Sequence, residues 1–202
     1  MSPFVILSLM LNKIFLDNNE FHFTESELPL LIHGEEPVGA SLFTMSVLAT
    51  LCSQGAKVVA LTGYPYAREE FIKQTGTEEN AQFFTKEKTE EFLEFVSKTS
   101  DISDYVILLK NIEFYSRQVF NAVKNLKNLI LSGDVNKCSF KEELSQYSFN
   151  TKIYFSQLTE PLPELQKYES FMVSEKQSGV LSLEMYSNIC LIDIYPTGVY
   201  DK

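Results

Sequence analysis

Positive charge is scarce in this sequence. Its 17 Lys and Arg residues stand against 27 Asp and Glu, for a formal net charge of -10 and a pI near 4.7. Nucleic-acid affinity at physiological salt rests largely on neutralising phosphates, so this balance argues against a nucleic-acid partner beyond a local basic patch. Histidine is scarcer still. His22 and His33 are the only two, and neither lies in an H-x-x-x-H or cysteine-flanked pattern, which argues against a metal site. The three cysteines, Cys52, Cys138 and Cys190, are odd in number and far apart, with no C-x-x-C pair for zinc or redox chemistry. They read as reduced, mostly buried thiols of a cytoplasmic protein. Neither a G-x-S-x-G nucleophile elbow nor a G-x-G-x-x-G dinucleotide fingerprint occurs.

A long apolar span is also missing. Phe4 to Leu11 is apolar, but Asn12-Lys13 interrupts it well short of the roughly 20 residues needed to cross a bilayer. No basic segment precedes it and no small-residue cleavage site follows, so the expectation is a buried N-terminal helix or strand and no membrane role. A patch that docks on a partner is the main competitor. No internal repeat, low-complexity tract or interdomain linker is visible. With 45% hydrophobic content over 202 residues, the chain is expected to bury one full core as a single domain.

What is present is an alternation of buried strands and helices. Leu28 to His33, Lys57 to Thr62, Tyr105 to Leu109, Leu129 to Ser132 and Lys152 to Ser156 are continuous apolar or β-branched runs that suit strands buried on both faces. Between them, Leu42, Met45, Leu48, Ala49 and Cys52 recur at helical spacing up to Gly55, a plausible residue to end the helix. A short helix from Ala67 to Gln74 ends at Gly76. Thr77 to Ser100 reads as polar and charged, with one helix marked by Phe92, Leu93, Phe95 and Val96. Val119 to Leu126 and Glu142 to Tyr147 give two more helices. This alternation predicts a parallel α/β core over 28–158, preceded by an N-terminal extension, 1–27. After the extended Pro161-Leu162-Pro163, two apolar segments flank Glu175-Lys176-Gln177-Ser178-Gly179 as a hairpin, and Ile189 to Tyr195 adds a final strand, giving an antiparallel unit over 168–195.

Between the first strand and the first long helix lies Gly34-Glu35-Glu36-Pro37-Val38-Gly39-Ala40-Ser41. Its spacing is that of the P-loop, G-x-x-x-x-G-K-[ST], with Ala40 where the lysine belongs. In that motif the turn wraps phosphates in backbone N–H groups, the lysine neutralises the terminal phosphates and the hydroxyl holds magnesium. Here Ser41 keeps the hydroxyl, while Glu35 and Glu36 bring negative charge to the same turn. A second reading of Gly34 and Gly39 is a tight strand-to-helix turn kept for its geometry.

The octet, the Gln54-Gly55-Ala56-Lys57-Val58-Val59 entry to the second strand and the closing hairpin together resemble the RecA/KaiC-like branch of P-loop ATPases, over roughly His33 to Met185. That resemblance implies a three-layer α/β sandwich with a mainly parallel sheet and a C-terminal antiparallel hairpin. It also implies a nucleotide crevice at the carboxyl ends of the strands. The catalytic positions depart from the pattern. Where the family carries a Walker B carboxylate, Lys110 follows the third strand; Asp104 lies at the strand's wrong end, and Glu113 comes three residues too late unless the loop folds back. Where this branch places a water-activating carboxylate, Gly63-Tyr64-Pro65 closes the second strand, and Glu69 and Glu70 are already on the next helix.

The resemblance therefore implies a degenerate P-loop and a pseudo-ATPase that needs no cofactor, ATP remaining the ligand to test. Lys110 either swings to the phosphate site or pairs with Glu35 or Glu36 and closes the pocket. Tyr64, Tyr66, Arg68 and Asp134 complete the crevice candidates; the aromatics either stack on a base or partner, or pack against their own sheet. His33 reads as a core or turn histidine. Family members form rings or filaments, so the implied partner is a second copy or an active RecA-like paralogue. A nucleotide-binding switch or weak NTPase using Lys110 and Ser41 is the other reading.

Overall fold

The computed structural model describes residues 13–34, 39–76, 78–155 and 169–184. The expected parallel strands are there: β3 (Leu30–His33), β4 (Lys57–Thr62), β6 (Tyr105–Lys110), β7 (Leu129–Gly133) and β8 (Thr151–Tyr154). Two further strands at the N-terminal end, β1 (Lys13–Leu16) and β2 (Asn19–Phe21), flank the turn-like Asp17-Asn18. β9 (Glu169–Ser174) and β10 (Ser178–Glu184) form the predicted hairpin. One more strand, β5 (Ala81–Thr85), lies within the segment that the sequence reads only as a charged helix. All pair into one ten-stranded sheet of order β2-β1-β10-β9-β8-β3-β7-β6-β4-β5, parallel from β8 to β5 and antiparallel from β2 to β8.

The continuous apolar runs give the parallel strands two buried faces. Leu30, Ile32, Ala60, Leu108, Ile130 and Ile153 face one core, and Leu31, Val59, Leu61, Ile107, Leu109 and Leu131 face the other. The first core is covered by α1 (Ala40–Ser53) and α2 (Ala67–Thr75), the second by α3 (Thr89–Lys98), α4 (Arg117–Val123) and α5 (Lys141–Gln146). α3 earns its place through Phe92 and Val96, both buried while its glutamates face outward. α1 is instead buried almost all round, as a helix without a polar face must be. Its hydroxyls avoid a burial penalty by bonding back along the helix. Thr44 Oγ1 donates to Ala40 C=O at 2.7 Å and Ser46 Oγ to Leu42 C=O at 2.9 Å. Thr44 Oγ1 also accepts from Ser132 Oγ at 2.7 Å, which ties α1 to β7.

Residues 13–21, read from sequence as part of an extension, are built into the sheet: β1 pairs with β10 from Lys13↔Glu184 to Leu16↔Leu181. The turn after β1 is locked to the hairpin by Asp17, whose N–H donates to Val180 C=O at 3.0 Å and whose Oδ1 accepts from Val180 N–H at 2.9 Å. Gly179 makes room for that carboxylate, since a Cβ there would lie 2.2 Å from Asp17 Oδ2. The apolar segment Phe4 to Leu11 and the expected strand Ile189 to Tyr195 lie outside the described residues. No described helix is long and apolar enough to cross a membrane.

Two outcomes follow for urea unfolding. Gly179→Ala is expected to cost about 1–3 kcal/mol through this clash, and Asp17→Ala in the same chain to return part of it, because the two positions share one contact. Thr44→Val is expected to cost more than Ser132→Ala, roughly 1–3 against 1 kcal/mol or less. The first leaves the Ser132 hydroxyl without its acceptor, whereas the second leaves Thr44 bonded to Ala40.

Candidate functional site

The candidate crevice residues lie where β3, β7, β6 and β4 end. Ile32, Ser132, Lys110 and Thr62 are consecutive lateral partners across those four strands. Lateral partners present their side chains to the same face. Ser132 meets Thr44, so Lys110 and Thr62 also lie on the α1 face. Lys110 is only 2% exposed and is engaged with a partner. β7 separates β3 from β6, so the Lys110 backbone stands two strand spacings, roughly 9–10 Å, from the end of β3.

The octet joins this row from the β3 side. His33 is fully buried, and its Nδ1 accepts from Val135 N–H at 3.2 Å, the behaviour of a satisfied structural histidine. Gly34 N–H donates to Gly133 C=O at 3.3 Å, extending the β3–β7 pairing by one residue. Gly39 takes φ +98°, a left-handed value that favours glycine, and its carbonyl accepts from Phe43 N–H to start α1. Ala40 and Ser41 open the helix, 3% and 6% exposed. Glu35 and Glu36 lie outside the described residues.

The loop after β6 does fold back. Asn111 adopts φ +65°, a left-handed conformation that asparagine tolerates, and the 3₁₀ turn Ile112–Phe114 follows. This brings Glu113 to the end of β7, where Oε2 accepts from Asp134 N–H at 3.0 Å. Gly133 permits the approach, because a Cβ there would sit 2.3 Å from Glu113 Oε2. Asp134 is itself buried. Its Oδ1 accepts from Asn136 N–H at 2.9 Å, and Lys137 Nζ lies 2.9 Å from Oδ2. Burial raises the Asp134 pKa, but the contacts from Lys137 and Asn136 outweigh it and hold the carboxyl below the usual aspartate range. Both carboxylates at the end of β7 thus have local partners. Asn111 is 3% exposed, and its Oδ1 has no hydrogen-bond partner among the described residues.

At the end of β4 the space is filled. A Cβ on Gly63 would lie 2.4 Å from Phe114 Cδ2 and 2.8 Å from Asn111 Cβ, so the Phe114 ring closes over this glycine. Tyr64 meets Phe114 edge-on at 5.4 Å and stacks on Tyr66 at 5.5 Å with the rings 9° from parallel. Lys86 Nζ sits 5.0 Å above the Phe114 ring. Arg68 is on the exposed side of α2, where its guanidinium makes two 2.6 Å bonds to Glu78. Ser132, Thr44 and Asn111 are the parts that sequence reading missed, while the fold-back of Glu113 is the condition it left open. Thr44 lies three residues beyond Ser41, one helical turn on, and that spacing was a usable signal.

Among the described residues no group of three or more His, Cys, Asp or Glu is placed to hold a metal ion. Burial pushes the Cys138 thiol up to about 11, the state of an inert structural cysteine.

No protein-family model matches the chain, and no curated protein matches it in sequence. Similar folds do occur among solved structures. The pCW3 conjugation coupling protein TcpA, in its monomer form with ATPγS, superposes with a TM-score of 0.58 at 12% identity, covering 93% of this chain and 69% of that one. The flagellar accessory protein FlaH from Methanocaldococcus jannaschii gives a TM-score of 0.47 at 15% identity, covering 72% of this chain and 76% of that one. At such identities the likeness is one of fold, and the assignment rests on the TcpA superposition together with the strand order. The chain has a RecA-like P-loop NTPase-type fold, a mainly parallel α/β sandwich whose sheet continues into antiparallel strands.

Proposed function

We propose that this chain is a non-catalytic member of the RecA-like fold, a pseudo-ATPase that serves as an assembly or regulatory protein-interaction module. The observation that carries the reading is Lys110. A buried ammonium ends β6 in register with Ser132 and Thr62, where the resemblance calls for a carboxylate that positions magnesium. The residues present do not fit that metal: Ser132 and Thr44 bond to each other, and Asp134 and Glu113 are held at the end of β7. Further support comes from Gly63, whose surroundings leave no room for a water-activating side chain. Ala40 removes the phosphate-binding lysine as well. Losing one preorganised group costs on the order of 3 kcal/mol, about a hundredfold in rate, so three departures leave little hydrolysis.

In this reading Lys110 closes the crevice from within, with Glu35 or Glu36 as its counter-charge, and no nucleotide is required as cofactor. The partner is a protein, either a second copy of the chain or an active RecA-like paralogue. The second reading is a nucleotide-binding switch or weak NTPase in which Lys110 replaces the missing P-loop lysine and Ser41 supplies the hydroxyl. Its support is that Lys110 lies on the α1 face, whose N-terminal turn carries Ser41.

Calorimetric titration with ATP, with and without magnesium, separates the two. The closed-crevice reading predicts no saturable micromolar binding in either condition. Saturable binding in the native chain that is lost in Lys110→Ala would defeat it in favour of the second. For the assembly role, the expected result is an oligomer by light scattering or a captured paralogue; a strict monomer without a partner contradicts it.

A further inference from the structure

α1 turns one side to the sheet, and Thr44 marks that side through its bond to Ser132 on β7. In an α-helix, residues two positions either side of Thr44 point roughly the opposite way. These are Leu42 and Ser46, and Ala49 and Ser53 continue the same stripe towards the end of the helix. Ser53 is exposed, as the outward side of a surface helix should be. Leu42, Ser46 and Ala49 are not: they are 7%, 1% and 0% exposed.

The described contacts of α1 lie on its other sides. Thr44 meets β7, Phe43 packs on Phe23 and Phe155 along one flank, and α2 lies along the other. Leu42 belongs to neither of the two described cores, and Ser46 has a further partner besides the Leu42 carbonyl. The burial exists within one copy of the chain, so its cover belongs to the chain's own segments outside the described residues. Besides residue 77 these are 1–12, 35–38, 156–168 and 185–202.

Charge and reach separate them. The four residues 35–38 must join Gly34 to Gly39 and cannot also run two turns along α1. Segment 156–168 carries Glu160, Glu164 and Lys167, and 185–202 carries Asp193 inside its apolar run. A charge laid on an apolar helix side without a partner is costly. Phe4 to Leu11 is eight residues without a charge. It spans about 12 Å as a helix and about 26 Å extended, enough for the roughly 10 Å from Leu42 to Ala49. It also enters from the right end. β1 runs antiparallel to β10, β10 to β9 and β9 to β8, while β8 is parallel to β3, so Lys13 lies at the end of the sheet where β3 stops and α1 begins. β1 and β3 are four strand spacings apart, roughly 19 Å, and twelve residues reach up to about 40 Å.

We infer that Phe4 to Leu11 lies across the outward side of α1 and covers Leu42, Ser46 and Ala49. The apolar start of the chain is then a third layer over α1, spent within its own fold and not on a membrane or a partner. The inference does not depend on whether the crevice binds nucleotide.

The test is N-ethylmaleimide labelling of the full chain carrying Ser46→Cys, a near-isosteric change, followed residue by residue by mass spectrometry, with the buried Cys138 as the control for folding. The thiol at position 46 is expected to be protected as Cys138 is, at every chain concentration. Adding Ile6→Glu with Leu7→Glu is expected to speed its labelling by at least about tenfold and to leave Cys138 unchanged. Leu162→Glu and Leu191→Glu are expected to leave position 46 protected. If the double charge also exposes Cys138, Leu7→Ala decides, with a gain of roughly threefold expected at position 46 alone. Protection that survives the changes at Ile6 and Leu7, or that is lost only with Leu162→Glu or Leu191→Glu, overturns the inference in favour of another segment. Protection lost on dilution overturns it in favour of a second copy, and free labelling with Cys138 still protected overturns it outright.

Discussion

A buried ammonium must have a counter-charge, and Lys110 places one at the ends of the strands where this fold gathers its ligand-binding groups. Several described polar groups nearby are already engaged with one another. The hydroxyls on the same face are spent on each other and on α1, and the nearest carboxylates are drawn to the end of β7 by Asp134 N–H and Lys137. An Mg²⁺-nucleotide site works in the opposite sense, with carboxylates and hydroxyls preorganised for a divalent ion. In the proposed reading, Lys110 stands where that chemistry calls for a carboxylate, and the local charge is inverted.

β3, the left-handed Gly39 and the fully packed α1 reproduce the strand-turn-helix geometry, because α1 is buried on nearly every side and cannot shift without opening the first core. Backbone geometry and core packing set the shape, whereas three side-chain positions set the reactivity. The same separation lets the sheet grow, since β1 and β2 add to the antiparallel side through Asp17 and Gly179 without touching the crevice.

Much of this was legible in the sequence. Continuous apolar runs marked β3, β4, β6, β7 and β8 because strands buried on both faces have no polar alternation to blur them, and Gly76 ended α2 as its position suggested. β5 was missed because its five residues lie between Glu78-Glu79 and Lys86-Glu87-Lys88, and the surrounding charge reads as a solvated helix. β1 and β2 were missed because short strands become visible only through the partner that completes them, here β10, far away in sequence. At the strand ends, the position of Lys110 as the last residue of β6 could be read by counting from the strand. The closure of Phe114 over Gly63 could not, and the return of Glu113 to β7 could be raised only as a condition, because both depend on the left-handed turn at Asn111.

In the proposed reading, the ends of these strands hold a buried cation in place of a metal-nucleotide complex. Native mass spectrometry of the chain, purified throughout in ATP and magnesium, tests it most directly. The account predicts the mass of the bare polypeptide or of its assemblies. A stoichiometric increment of one nucleotide with one magnesium ion, lost on addition of a chelator, would contradict it.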